Sequence, residues 1–487
     1  MNITSFSFLC FFTVLLMIYY IVPKKAQWGV LLLASIMFFS ASGEPWLIGY
    51  PIATIIVIYT GALYIHKVKE QKKRQLALSL VVVLCVSLLC ILKYFHMGFL
   101  APLGISFYTL TLLGYVIDIY YEIGEPETNI LKLALFGYYF PTMISGPIIR
   151  YREMKGQLYT GHPLVYKNVT YGMQRMVWGF FKKLVIAERM GLIADTVFNN
   201  YEIHSGFTII IASVCFTFQL YTDFSGYMDI VLGVSETFGI ILPENFETPF
   251  FSRSISEYWR RWHITLGLWL REYLFYPLLR TKFFSSLPKK LKDKFGKKGA
   301  KKITTYLAML ILWFTIGFWH GGVWKYIIGS GLLHWFYIVS GEVLTPVWVR
   351  LKRYFHVKDD SKGFILFQRI RTFALVTIGL IFFRADNAIV ACKMLLSIFR
   401  SWNPEILWNG YLFELGLDWI EFTIAIVSLV MLLMVSILQQ TKNIRDRLAK
   451  QELLVRWAIL YALIFYVILL GNYGPGYNAA EFIYQGF

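Results

Sequence analysis

The sequence predicts an all-α, polytopic transmembrane protein with about 11–13 membrane segments plus re-entrant or interfacial helices. Three observations predict it. The 487 residues are 57% hydrophobic and 18% aromatic but only 16% charged, with a mean hydropathy of +0.56, outside the range of soluble globular chains. Apolar runs of about 20 residues, enough to cross a bilayer as a helix, recur along the chain with no long polar block between them. The Lys and Arg residues behind the net charge of +18 sit in short loops between those runs, a positive-inside pattern. They do not line one face of a soluble fold, so no nucleic-acid partner is expected. Residues 1–487 therefore read as a single membrane domain with lipids as its surroundings.

The first run, 3 to 22, has no Lys or Arg before it and no small-x-small cleavage site, and reads as an uncleaved span. Further spans are expected at 27–43, 45–65, 76–94, 98–117, 130–149, 205–222, 225–241, 303–320, 323–340, 364–383, 417–438 and 453–471. The basic loops 66–75, 150–158, 280–302 (nine lysines) and 350–362 are expected to be cytoplasmic, and the acidic loop 118–129 external. That assignment requires an odd number of crossings between 75 and 118, which makes APLGISF, 101–107, the candidate re-entrant segment. The five cysteines, Cys10, Cys85, Cys90, Cys215 and Cys392, lie in apolar stretches without CxxC spacing, so neither a disulfide framework nor a zinc knuckle is indicated.

Ionisable groups at membrane depth are costly and mark candidate function. Four stand out: Asp223, His263, His320 and His334. The other histidines, His66, His96, His162, His204 and His356, fall in loops or at span ends. His320 ends an apolar run and is followed by Gly321 and Gly322, which favour a helix C-terminus and close approach of another backbone or a substrate. The negative end of the helix dipole there favours the protonated imidazole, a useful property in a base that must accept a proton. His334 lies 14 residues later, about 21 Å away if the helix runs on, so a packing or pathway role is expected for it. Asp223 must be paired if buried, and Arg260 and Arg261 are the available cations; a structural ion pair and a substrate contact are both open.

In SISEYWRRWHITLGLWLREYLFYPLL, Trp259, Trp262, His263 and Leu266 share a helical face, flanked by Arg260, Arg261, Arg271 and Glu272. Either an interfacial amphipathic helix or a helix bordering a buried site fits. No GxSxG elbow, HExxH helix, P-loop or Rossmann glycine pattern is present. From the residues alone, three readings remain: general-base acyl transfer without metal or covalent serine, a transporter or channel, and a histidine-ligated haem or metal protein.

The block ENFETPFFSRSISEYWRRWHITLGLWLREYLFYPL, followed by FWHGGVWKYIIGSGLLHW, resembles the membrane-bound O-acyltransferase family, in its bacterial alginate and peptidoglycan O-acetylation branch. LGISFYTLTLLGYVID, FPTMISGPIIRYREM, QLYTDFSGYMDIVLG and IFFRADN extend the likeness over roughly residues 100–390. Where relatives often carry a Gly-Gly step after YxPL, this chain reads YPLLRTKFFSSLPKKLKDKFGKK.

The resemblance implies helices around a central funnel or tunnel, in the bacterial cytoplasmic membrane. It implies His320 as the central catalytic residue and His263 lining the same site. Trp259, Arg260, Arg261, Trp262, Trp319, Gly321, Trp324, Asp223 and His334 are the candidate substrate contacts, and no bound cofactor or metal is expected. The co-substrate would be a cytoplasmic acyl thioester such as acetyl-CoA, and the acetyl group would pass through an extracytoplasmic SGNH-type acetyltransferase to a polysaccharide acceptor. In that chemistry His320 is the base, and His263 orients the acceptor or stabilises the oxyanion. The lysine-rich stretch 280–302 and the basic face of 350–362 would meet a polyphosphorylated donor, or simply set topology and contact anionic lipid. D-alanyl transfer to teichoic acid, and a polysaccharide or lipid-carrier flippase without acyl chemistry, are the competing expectations.

Overall fold

The computed structural model describes residues 1–94, 100–204, 206–441 and 443–473. His96 and the start of the 98–117 run lie outside them. Among the described residues every regular element is a helix, and the sole strand-type pairing is an isolated bridge between Phe246 and Trp262. Among the described residues eight helices are long and apolar enough to cross a membrane: Lys24–Ser42, Pro45–Lys67, Gln71–Tyr94, Phe207–Thr237, Lys282–Gly321, Lys362–Arg384, Trp419–Gln439 and Leu453–Leu470. Trp324–Val343 and Thr345–Tyr354, bent by 57°, make a ninth if taken together. The chain is a multi-pass helical membrane protein.

The division into spans differs from the sequence reading in three respects. The runs 205–222 and 225–241 form one helix, Phe207–Thr237. Its polar middle, Thr222, Asp223 and Ser225, is buried, and the Thr222 hydroxyl is satisfied within the helix by the Phe218 carbonyl at 2.7 Å. The 130–149 run is broken: Ile130–Gly137 is followed by a single turn, Phe140–Met143, and then by non-helical chain at Gly146 and Pro147. The helices Phe6–Ile21 and Ile105–Tyr120 have 16 residues each, about 24 Å of rise and short of a full crossing.

The placement of the acidic loop 118–129 is also corrected. Arg74, beside the 66–75 loop, donates to Glu122 at 2.5 Å and to the Tyr120 carbonyl at 2.8 Å. Arg152, in the 150–158 stretch, pairs with Asp118 at 3.5 Å, and the Tyr151 hydroxyl donates to Glu127 at 2.5 Å. The acidic residues are ion partners of the basic ones and share their side. Carboxylates contribute little to membrane orientation, so acidic composition alone does not place 118–129 outside. With 66–75 and 118–129 on one side, parity no longer demands an odd number of crossings between 75 and 118 or that 101–107 be re-entrant.

The described chain clusters into two compact units, Met1–Phe181 with Phe224–Glu244 and Leu448–Phe487, and Lys182–Asp223 with Asn245–Arg447. In the first, glycines replace side chains where helices touch. A Cβ on Gly172 would lie 2.5 Å from the Gly233 carbonyl oxygen, and one on Gly179 would lie 2.6 Å from that of Gly226. The helices Tyr166–Phe180 and 224–237 therefore meet backbone to backbone. Between them Arg175 donates to Asp229 at 2.9 Å and to Glu244 at 2.7 and 2.5 Å, a bidentate arrangement that holds its own cation in place.

In the second unit the chain reverses after His320. Lys282–Gly321 closes on Gly322 in the left-handed region (φ 72°), as the Gly-Gly pair predicts. The following segment then runs back along the same helix: a Cβ on Gly317 would lie 2.6 Å from the Ile327 Cα, and one on Gly331 would lie 2.5 Å from the Trp313 carbonyl oxygen.

Gly104 gives a direct stability test in the first unit. It has φ 74°, and a Cβ there would lie 2.0 Å from the Met143 carbonyl oxygen. Gly104→Ala is expected to destabilise by about 1–3 kcal/mol, seen as a lower melting temperature in detergent. Gly124→Ala, where nothing lies within 4 Å, is expected to melt like the parent.

Candidate active site

The two histidines at the centre of the site come from different local structures in the second unit. His320 occupies the last turn of Lys282–Gly321 and is 4% exposed. Its Nδ1 lies 2.8 Å from the Ile316 carbonyl oxygen. A carbonyl only accepts, so Nδ1 carries the proton and Nε2 is the basic nitrogen of the neutral ring. The imidazole folds back on its own helix, as helical side chains do. Its ring meets Trp319 at 5.2 Å and the edge of Phe383 at 5.7 Å.

His263 does not continue the helical face expected for it. Ile255–Arg261 ends one residue before Trp262, and Ile264–Leu270 begins one residue after it, with His263 between them at φ 46°, ψ 50°. A non-glycine residue in the left-handed region carries about 1–3 kcal/mol of strain, and persists only where its surroundings enforce it. The enforcement is visible. Segment 245–247 clasps 261–264: the Glu247 amide donates to the Arg261 carbonyl at 2.9 Å, and the Ile264 amide donates to the Asn245 carbonyl at 3.1 Å.

His263 is 2% exposed. Burial pushes its imidazole down to about 3, and the charge of nearby His320 acts in the same direction. The Trp319 ring lies 6.2 Å from that of His263, so the two histidines flank one indole. The structure thus brings together the pair on which the sequence reading centred.

The other expected site residues divide. Trp259 meets His334 at 5.0 Å and Trp313 at 4.9 Å, while His334 also stacks on Trp313 at 5.7 Å. Because the chain reverses at Gly322, the continuous-helix separation of His320 and His334 does not apply. His334 lies beside Trp313, seven residues back along the helix from His320 and so about 10 Å from it along the axis. Trp262 is buried in an aromatic core, stacked on Tyr258 at 5.4 Å and edge-on to Phe246 at 5.0 Å. Arg261 is tied to Glu257 at 2.9 Å and to the Thr248 hydroxyl at 3.2 Å. Arg260 and Trp324 are exposed. Gly321 is accounted for by Tyr326, whose ring carbons would lie 2.4 Å from any Cβ placed there.

Asp223 is corrected. Its partner is neither Arg260 nor Arg261 but Lys183, to which it forms a buried ion pair. Lys183 lies in a π-helical stretch, Phe181–Ala187, of the kind often found where a helix is locally specialised. Sequence reasoning passed over Lys183, although FFKKLVIA sets two cations inside an apolar run. It also passed over Asn245, Ile316 and Phe383, which hold the two imidazoles. Among the described residues no group of three or more His, Cys, Asp or Glu side chains is placed to hold a metal ion.

Comparison with known proteins decides the class. A model of the membrane-bound O-acyltransferase family matches residues 121–292. The chain is 30% identical over 421 residues to the protein named Probable alginate O-acetylase AlgI of Azotobacter vinelandii, covering 82% of this chain and 77% of that one. The chain belongs to the membrane-bound O-acyltransferase family. This acyltransferase is also 31% identical over 412 residues to a peptidoglycan O-acetyltransferase of Helicobacter pylori, covering 75% and 72% of the two chains. To a teichoic acid D-alanyltransferase of Streptococcus thermophilus it is 29% identical over 271 residues, 54% of this chain and 60% of that one.

The buried pair gives a stability prediction for the enzyme. Asp223→Asn removes the carboxylate charge from the buried pair with Lys183 and is expected to cost about 3–5 kcal/mol, whereas the double variant Lys183→Met/Asp223→Leu recovers part of it. Thermal melting of the detergent-solubilised variants measures both.

Proposed function

We propose that this O-acyltransferase moves an acetyl group from a cytoplasmic thioester, acetyl-CoA in the simplest case, to a hydroxyl on the far side of the bacterial cytoplasmic membrane, with His320 as general base. The observation that carries the reading is the His320 Nδ1 contact with the Ile316 carbonyl, which leaves Nε2 as the basic nitrogen. In the proposed step Nε2 takes the proton of the acceptor hydroxyl as its oxygen attacks the thioester carbonyl carbon. The tetrahedral intermediate collapses with cleavage of the C–S bond, and the imidazolium returns its proton to the departing thiolate. No metal or covalent serine is required.

His263 supports this arrangement as a second imidazole across Trp319. Acetyl is favoured over D-alanyl because the matches to the alginate and peptidoglycan O-acetylating relatives span more of the chain than the match to the D-alanyltransferase. The acceptor is proposed to be a cell-surface polysaccharide reached through an extracytoplasmic SGNH-type acetyltransferase, the partner class implied by the resemblance. The lysine-rich start of Lys282–Gly321, bent away at Gly296 (φ 68°), is proposed to attract the phosphates of the donor.

His320→Ala is expected to lower acyl transfer by about 10²- to 10⁴-fold, and thioester hydrolysis with it, in membranes that hold normal amounts of folded protein. Mass analysis of surface glycans from cells with and without the protein reads the acyl group. Normal transfer by the variant would overturn His320 as the base, and a D-alanyl difference would overturn acetyl.

A further inference from the structure

Asn245 is not among the expected site residues, yet its carboxamide oxygen meets three donors of the His263 turn. Its Oδ1 lies 3.1 Å from the Thr265 amide, 2.9 Å from the Thr265 hydroxyl and 3.3 Å from His263 Nδ1. Asn245 is 1% exposed, and Thr265 is buried with it. The amide contact fixes the chemistry of the others. A backbone N–H can only donate, so the atom it meets is the oxygen of the carboxamide, and an oxygen without a hydrogen cannot donate to His263. Nδ1 must therefore carry the proton, and the lone pair of the neutral ring is on Nε2.

We infer that Asn245 is a positioning residue that holds His263 as the Nδ1–H tautomer, so that its Nε2 accepts a hydrogen bond from the acceptor hydroxyl and does not donate one to the oxyanion. The inference rests on the acyl-transfer reading for the reaction, but not for the tautomer. Of the two roles open to His263, orienting the acceptor and stabilising the oxyanion, the second needs an N–H on Nε2, which the Asn245 contact denies to a neutral ring. The ring stays neutral because it is buried and because the ionisable group known to act on it, His320, would repel a second proton. A neutral carboxamide behind the imidazole suits that state, since a carboxylate in its place would favour the imidazolium. The left-handed backbone of His263 has the same support, through the bond from the Ile264 amide to the Asn245 carbonyl.

Two measurements test this. The first needs no turnover: ¹⁵N solid-state NMR of histidine-labelled protein in bilayers, with the His263 signal assigned by its loss in His263→Ala. The tautomer expected is Nδ1–H in the parent and a mixture in Asn245→Ala. A parent spectrum showing Nε2–H overturns the inference whatever the reaction proves to be. The second is kinetic, and is read against His320→Ala so that the two claims separate. Asn245→Ala is expected to lower kcat about 10- to 100-fold with the thioester KM little changed. Asn245→Asp is expected to move the acid limb of the pH profile upward by about one unit or more, because the raised His263 pKa removes the accepting lone pair at higher pH.

If His320→Ala abolishes transfer while folded Asn245→Ala and Asn245→Asp keep the parent kcat and pH profile, the positioning role is wrong and the base assignment stands. If His320→Ala transfers normally, the base assignment falls, and the NMR result alone decides the tautomer.

Discussion

A buried imidazole must satisfy its N–H without water, and the partner it finds decides which nitrogen is left to do chemistry. His320 finds the carbonyl of its own helix at Ile316, and His263 finds Asn245. The atoms they meet, the Ile316 carbonyl oxygen and Asn245 Oδ1, only accept, and both therefore place the lone pair on Nε2. A pair of histidines set in this way presents two basic nitrogens and no N–H until one of them takes a proton. Their proximity ensures that one proton is the limit, because a second charge in the same desolvated region would be opposed.

The scaffold serves that arrangement by removing side chains. Gly322 turns the chain after His320, Gly321 makes room for the Tyr326 ring, and Gly317 and Gly331 let the returning helix lie against the outgoing one. Tyr326 in turn meets Phe383 at 4.9 Å, and Phe383 is one of the rings around His320. The glycines after the histidine act through packing and reversal. The aromatic lining keeps both imidazoles buried.

The helical class and the membrane were legible in composition and in the recurrence of apolar runs. The family was legible in the WRRWH and FWHG motifs, whose histidines do meet on either side of Trp319. What escaped the sequence depended on three-dimensional pairing. The polar middle of Phe207–Thr237 looks like a loop because Thr222, Asp223 and Ser225 are polar, yet the helix is continuous and the Thr222 hydroxyl is satisfied inside it. Helical periodicity cannot see a left-handed residue, so His263 was placed on a face that its own backbone interrupts. The arginines of WRRWH are the cations the sequence offers Asp223, yet Lys183, which pairs with it, sits in an apolar run with no motif at all. Asn245 lay inside a recognised block, but a single asparagine has no spacing to give away its partner.

Acyl transfer at His320 and passage of an intact carrier are told apart by the fate of the thiol. A doubly labelled acetyl thioester is supplied to one face of sealed proteoliposomes, with a hydroxyl acceptor enclosed on the other, and both labels are followed. Acyl transfer predicts that the acetyl label appears on the enclosed acceptor while free thiol is released on the supply side in equal amount. Both labels crossing together, or acetyl label crossing without thiol release, would contradict it.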